Sequence, residues 1–246
     1  SAHAQRIATL PPPCAIGGAD TSRKIPVPPR HPTSLAVMPL TVGSGAAAFV
    51  FLGDGLPDAV AARIGTALPR LFVVGRRALH RRLGPDAGAI RALGANLGVE
   101  YLLGGDIART RTNLRITFAL YDAATGRRTW QRAFFYDSAG ALPIEQAVAI
   151  EVAARVAGPF SEAEQRELLR VPTARHAAYD AFLRGNVAAD EFARSLASDA
   201  YHRALQIDPA FADAYARLAL TDADVLDEND MSGPDEGGKI MQEMQV

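Results

Sequence analysis

The chain has 246 residues, 48% of them hydrophobic, so it can bury one large core or two small ones. Its formal net charge of -1 gives no overall attraction to nucleic acid or to anionic lipid. A single cysteine, Cys14, excludes an intrachain disulfide. No apolar run reaches the roughly 18 to 20 residues that a membrane-spanning helix needs, so we expect no such helix.

Residues 1–32, called the arm below, contain seven prolines and no apolar periodicity. Such a segment is predicted to be extended and to become ordered only against an outside surface. We expect that surface to be another chain or the α/β domain that follows. Ala2-His3-Ala4 looks like the small-x-small end of an export signal, but three residues are weak evidence for one. We expect a periplasmic or other extracytoplasmic membrane-associated location and leave a cytoplasmic one open.

Residues 33–158 are predicted to fold as one α/β domain, with elements in the order βαβαβββα around a single sheet. Apolar runs indicate two buried strands, and alternating patterns indicate three more in quick succession. Helical periodicity fills the intervals between them. Gly98 is expected to end the second helix, and Gly126 is expected to take a positive φ in the turn between the last two strands. The predicted strands are Ser34–Leu40, Leu71–Val74, Val99–Ile107, Leu114–Leu120 and Arg128–Tyr136, and the helices are Asp54–Leu68, Ala87–Leu97 and Pro143–Val156.

The first helix is expected to follow a loop of small residues from Val42 to Ala48. Pro57 would then lie in the first helical turn, where its missing N–H costs nothing. Asp54 and Asp58 would lie in the same turn. Stabilisation of the helix dipole is therefore favoured over a catalytic or metal-binding carboxylate pair.

A capping box at Ser161–Glu164 predicts a short connecting helix, which Val171-Pro172 ends. Residues 159–176 therefore link the α/β domain to the region that follows. Residues 177–225 fit the frame of the tetratricopeptide (TPR) repeat, in which small residues occupy the crossing of two helices and a proline turn ends each unit. The stretch YHRALQIDPAFADAYARL, from Tyr201 to Leu218, carries this match.

Individual residues fit three kinds of position in the repeat frame: large or turn positions, the opening of the next unit, and small positions. Tyr201 takes a large position, and Pro209 takes the turn. Tyr215 and Leu218 open the next unit, whose second helix is not recognisable, so their apolar face is expected to bind a partner or the acidic tail of residues 226–246. Small positions are held by Gly185, Ala197 and Ala204.

Four motifs carry a resemblance to a known family: SLAVMPL, FLGDGLPDAVAARI, LGVEYLLGGDI and LRITFALYDAATGRRTW. The last joins a strand, the Asp122–Gly126 turn and Trp130 at fixed spacing. In these motifs residues 34–157 resemble the TolB amino-terminal-like (FlgO-like) domain. In bacteria that domain often lies between a membrane-tethered signalling module and a TPR array. The resemblance therefore implies an extracytoplasmic sensing or scaffolding segment.

The densest basic cluster is a second candidate for partner binding. It could contact phosphates, an acidic protein or lipid headgroups, or it could be a solvated surface. No aromatic residues interleave with it for base stacking, so nucleic acid is disfavoured. The cluster consists of Arg76, Arg77, His80, Arg81 and Arg82.

We expect no catalytic residue, metal or cofactor. The five histidines lack zinc-ligand spacing, and the glycine-rich segments at residues 43–45 and 53–55 lack the lysine of a phosphate-binding loop. The sequence thus favours a non-enzymatic interaction or scaffold module, as a structural subunit of a bacterial membrane complex that meets the membrane through partners or a missing anchor. The alternative is a sensor segment of a signalling protein that binds a small ligand or a partner. An enzyme is the third class.

Overall fold

A six-stranded mixed sheet lies at the centre of the structure, which is a computed structural model describing residues 33–75, 86–137, 140–190 and 192–231. The strands run in the order β3-β1-β4-β5-β6, and the short β2 continues the line of β1 along β4. Parallel pairs join β1 to β3 and β4, whereas β4, β5 and β6 are antiparallel. The strands are β1 (Ser34–Val37), β2 (Thr41–Val42), β3 (Phe72–Val74), β4 (Tyr101–Arg109), β5 (Leu114–Asp122) and β6 (Arg128–Tyr136).

Seven α-helices accompany the sheet in the described part of the chain. The helices α1 and α3 belong to the large apolar core on one face, and α2 packs in a smaller cluster on the other. This architecture confirms the predicted α/β fold with a single sheet. The helices are α1 (Val50–Ala67), α2 (Ala87–Leu97), α3 (Leu142–Ala157), α4 (Glu162–Leu168), α5 (His176–Asp190), α6 (Arg194–Ile207) and α7 (Ala212–Met231).

The first helix differs from its prediction. A 3₁₀ helix, Ser44–Phe49, replaces the expected loop and runs directly into α1, so Pro57 lies in the helix interior. Because proline has no N–H, the carbonyl of Gly53 loses its helical partner. The backbone N–H of Leu40 donates to that carbonyl at 2.8 Å. Leu40, which lies between β1 and β2, thus replaces the hydrogen bond that Pro57 removes from the helix.

The earlier helix start also corrects two other expectations. Asp54 and Asp58 lie beyond the first turn of α1, so they do not stabilise the helix dipole in the way expected. The continuous helical stretch Ser44–Ala67 is long and apolar enough to span a membrane, contrary to the expectation from the sequence. Half of the most apolar 18-residue part of this stretch is buried in the fold. The core helix of a soluble protein has the same length and composition, so the finding is weak evidence for a membrane helix.

Strand β3 was expected to be buried, yet it forms one edge of the sheet with Phe72 exposed. The other local predictions hold more closely. Gly98 caps α2 in the left-handed conformation, and Ser161 and Glu164 form the predicted capping box at the start of α4. Helix α7 continues to Met231, six residues into the segment predicted as an acidic tail.

The turn between β5 and β6 is held by Asp122. Its carboxylate accepts hydrogen bonds from the N–H and the hydroxyl of Thr125, at 2.7 and 2.8 Å. The backbone hydrogen bond from Thr125 is the main reason why the pKa of Asp122 lies below its usual value. Gly126 takes the positive φ expected of it, at 71°. The turn aligns β6 so that Trp130 is buried and donates its indole N–H to Glu151 at 3.0 Å.

Candidate protein-interaction groove

Helices α5 and α6 pack side by side as a hairpin whose contact is lined by small residues. Ala197 and Ala204 of α6 are fully buried, as the repeat frame predicts. A Cβ atom on Gly185 of α5 would overlap the ring of Tyr201, so only glycine leaves room for that ring. The hydroxyl of Tyr201 donates to the side-chain oxygen of Asn186 at 3.0 Å. The hairpin therefore has the close helix approach that the sequence pattern requires.

Helix α7 joins this hairpin through aromatic packing centred on Phe182 of α5. The ring of Phe182 lies 5.0 Å from that of Phe211, 5.9 Å from Tyr201 and 6.1 Å from Tyr179, measured between ring centroids. These tilted contacts lie within the range in which aromatic rings attract one another. Phe211, which directly precedes α7, belongs to the large core together with Ala214 and Leu218 of α7.

A buried ion pair joins the hairpin to the α/β domain. Arg63 of α1 donates from Nε to Glu145 of α3 at 2.7 Å, and the Tyr179 hydroxyl of α5 donates to the other carboxylate oxygen. The guanidinium of Arg63 also donates to the carbonyls of Leu168 and Arg170, at 3.1 and 2.8 Å. The side chains of Arg63 and Glu145 are 8% and 3% exposed. One cluster therefore connects α1, α3, α5 and the end of α4.

Glu145 is a buried titratable group whose pKa is shifted. Burial raises its pKa, and the attraction of Arg63 opposes that rise without cancelling it. A buried carboxylate with a raised pKa is a possible general acid. Here both carboxylate oxygens already accept hydrogen bonds, from Arg63 and Tyr179, and the side chain is almost inaccessible. Its arrangement is suited to holding helices together rather than to touching a substrate.

A second polar contact fixes the start of α5. Asp180 accepts hydrogen bonds from the Tyr136 hydroxyl of β6 and from the backbone N–H of Ala141, the latter at 3.0 Å. Burial raises the pKa of Tyr136, and the hydrogen bond to Asp180 raises it further. Tyr179 contacts the Arg63–Glu145 pair, so two neighbouring residues near the start of α5 bind different parts of the α/β domain.

A groove of about 490 Å³ lies between α1 and α7, with α5 at its base. It is called the α1–α7 groove below. Ala59, Ala62 and Thr66 of α1 line one wall, and Ala216, Arg217 and Leu220 of α7 line the other. Tyr179 and Phe182 lie at its base, where Arg63 and Glu145 also line it.

Charges around the α1–α7 groove are unevenly distributed. Five carboxylates and three arginines line it, an excess of two negative charges. Arg63 and Glu145 neutralise each other, and Arg170 forms ion pairs with Glu167 and Asp213 at 3.3 and 2.9 Å. By this count the groove lining is net negative, which is compatible with a ligand that carries positive charge.

The predicted binding residues fall in three different places. Leu218 is buried in the core, 9% exposed, so it does not offer a docking face. Tyr215 is 52% exposed but does not line the groove. The basic residues Arg76, Arg77, Arg81 and Arg82 lie outside the described residues, as does the arm. On α7, sequence reasoning missed all four groove residues, although their spacing of three and four residues is a signal for a shared helix face. They are Asp213, Ala216, Arg217 and Leu220.

Among the described residues, no group of three or more His, Cys, Asp or Glu side chains is placed to hold a metal ion. The Nδ1 atom of His176 is buried without a protein hydrogen-bond partner.

No model of a known protein family matches the chain. Over 207 residues, the chain is 30% identical to the protein named "Putative adenylate cyclase 3" of Rhizobium meliloti (strain 1021). The alignment covers 79% of this chain and 34% of that protein, so the chain spans about a third of the length of this relative. The similarity is therefore to one part of a longer protein.

Two solved structures are similar to parts of the fold. TolB from Acinetobacter baumannii aligns with 55% of this chain and 30% of its own, at 13% identity and a TM-score of 0.37. Lipoprotein GNA1162 from Neisseria meningitidis aligns with 50% of this chain and 97% of its own, at 15% identity and a TM-score of 0.34. Both are bacterial proteins, and TM-scores this low carry no argument about family or function.

The hairpin contact predicts the effect of enlarging Ala204. Substitution Ala204→Leu should overpack the fully buried contact between α5 and α6 and lower the free energy of unfolding by about 1–3 kcal/mol. The control is Ala219→Leu on the exposed side of α7, which should change it by less than about 0.5 kcal/mol. Urea unfolding measures both. Equal effects of the two substitutions would contradict the close helix approach.

The buried ion pair predicts strong coupling between Arg63 and Glu145. Either Arg63→Met or Glu145→Leu should lower the free energy of unfolding by about 3–5 kcal/mol, because each leaves an uncompensated buried charge. The double substitution should cost less than the two single effects added, by about 1–3 kcal/mol.

Asp213→Asn serves as the control for this cycle, because it breaks an exposed ion pair beside the same groove. Its effect should stay below about 1 kcal/mol. Additive effects of Arg63→Met and Glu145→Leu in urea unfolding would show that the pair does not couple α1 to α3.

Proposed function

We propose that the chain is a non-enzymatic protein-interaction module that binds a partner in the α1–α7 groove. The observation that carries this proposal is the groove itself, which has one wall from the α/β domain and the other from the helical region. Alanines on both walls leave space for an entering segment, and the half-buried ring of Phe182 offers apolar area at the base. The exposed side chains of Arg217 and Leu220 border this space.

The pairing of charges in the groove supports binding rather than catalysis. Glu145, whose pKa burial raises, is engaged by Arg63 and Tyr179. Arg170 is engaged by Glu167 and Asp213. These groups hold α1, α3, α4 and α7 in place, and the stable geometry they produce is what a recognition surface needs.

We further propose that the module serves as a regulatory segment of a longer bacterial signalling protein, on the extracytoplasmic side of a membrane. Support comes from the name of the Rhizobium meliloti relative, a putative adenylate cyclase of which this chain spans about a third. It also comes from the resemblance of the four sequence motifs to the TolB amino-terminal-like domain. Of the two settings predicted from the sequence, a signalling protein is thus favoured over a permanent structural subunit.

The proposed layout has three parts. Residues 33–158 are the α/β domain, residues 159–176 are the connection, and residues 177–225 are the TPR-like helices that offer the second groove wall. The small-residue contact between α5 and α6 supports the last assignment.

Photo-crosslinking in the bacterium that makes the protein tests the proposed groove. A photoreactive amino acid replaces Ala216 in the groove, or Ala95 on the exposed side of α2 as the control. The intact protein should form discrete adducts with another protein from position 216 and none from position 95. Substitution Ala216→Arg should weaken binding of the captured partner at least about tenfold and leave the free energy of unfolding unchanged.

Adducts of the same pattern at both positions would contradict the proposal. Partner binding that is indifferent to Ala216→Arg would contradict it as well, because the partner would then contact another surface.

A further inference from the structure

The arm joins the described part of the chain at the edge of the sheet, near the C-terminal end of α1. The carbonyl of Thr33, the first described residue, accepts a hydrogen bond from the backbone N–H of Phe72 at 3.1 Å. Phe72 begins β3, only five residues after Ala67 ends α1. Thr66, in the last turn of α1, lines the groove. The arm therefore departs at the end of α1 that borders the groove.

The length of the arm is sufficient to reach along the groove. The groove residues of α1 extend from Asp58 to Thr66, a rise of about 12 Å at 1.5 Å per residue. Residues 23–32, immediately before Thr33, span about 31 Å in an extended polyproline conformation. The last ten residues of the arm can thus cover the wall formed by α1.

Charge also favours the arm as an occupant. The arm contains four basic residues and one acidic residue, and three of the basic ones, Arg23, Lys24 and Arg30, lie in residues 23–32. The groove has an excess of two negative charges. Residues 222–246, at the other end of the chain, are mostly acidic in their charged positions and would be repelled.

The apolar part of the groove suits a proline-containing segment. Residues 23–32 read RKIPVPPRHP, with four prolines and two apolar residues. Extended proline-rich segments bind in apolar grooves that contain aromatic rings, because little conformational entropy is lost when they bind. Ala59, Ala62 and Ala216 provide the space between the walls, and Phe182 provides a ring at the base.

We propose that residues 23–32 of the arm bind in the α1–α7 groove of their own chain and compete there with the partner. The competition rests on the proposed function of the groove, whereas the binding of the arm does not. A module of this kind is closed until a partner displaces the arm, so its affinity for the partner is set by the strength of the internal contact.

Disulfide trapping in the full chain tests the position of the arm. In a Cys14→Ser background, Val27→Cys is combined with Ala216→Cys or with Ala62→Cys, one on each wall of the groove. The matched control combines Val27→Cys with Ala95→Cys on α2, across the sheet from the groove. All three alanine positions are exposed, and far-UV circular dichroism checks that the fold is retained.

Under mild oxidation, the groove pairs should form a disulfide within one chain at a yield at least about tenfold above the control. Reversing the arm charges with Arg23→Glu, Lys24→Glu and Arg30→Glu should reduce that yield at least about threefold. Equal yields at groove and control positions would overturn the proposal. A disulfide found only between two chains would also overturn it, because a second copy would then be the occupant.

The competition has a separate readout. The same charge reversal should increase the partner adducts formed from position 216 in cells. If no partner is captured there but the disulfide forms within one chain, the proposed partner site fails while the binding of the arm stands. If partner adducts form and are unchanged by the charge reversal, the competition fails.

Discussion

Arg63 and Glu145 meet in a site that is nearly closed to water, and α1, α3, α5 and the end of α4 come together at that contact. A buried charge is tolerated only when it is paired and fully hydrogen-bonded. Arg63 meets this condition with a carboxylate and two backbone carbonyls, and Glu145 meets it with Arg63 and the Tyr179 hydroxyl. Since these partners come from four helical segments, moving any one segment would leave a buried charge incompletely paired. The ion pair thus fixes how the α/β domain and the hairpin pack.

The groove follows from that fixed packing. Helix α5 contacts α1 closely at Gly55 of α1, which has no side chain. A Cβ atom at this position would lie only 3.1 Å from the side chain of Val187 in α5. Helix α7 packs on the hairpin through Phe211 and stands away from α1. Because α1 and α7 both pack on α5 but not on each other, a groove is left between them. The alanines on those walls keep it open, and the surrounding carboxylates give it a negative charge.

Much of the fold could be predicted from local patterns, because the alternation of apolar and polar residues in a strand and the apolar periodicity of a helix lie within each element. Helix α2 and the capping box of α4 follow such signals closely. The start of α1 could not be predicted, since Gly53, Gly55 and Pro57 normally interrupt a helix, and the compensating hydrogen bond from Leu40 is a tertiary contact.

The candidate site could be predicted only in part. The small residues of the hairpin were evident because a repeat pattern prescribes their spacing. The Arg63–Glu145 pair was not, because the two residues are 82 positions apart and no local pattern connects them. Tyr215 and Leu218 were predicted to share one docking face, but the rotation of α7 buries Leu218 and leaves Tyr215 exposed outside the groove.

The central claim is that the α/β domain and the helical hairpin form one cooperative unit around the buried ion pair. Trp130, the only tryptophan, reports on the sheet through its fluorescence, whereas hydrogen exchange of α6 amides reports on the hairpin. Measured across one urea titration of the full chain, both probes should show a single transition with the same midpoint. Exchange of α6 amides through a separate opening at lower urea, while Trp130 remains native, would contradict the account.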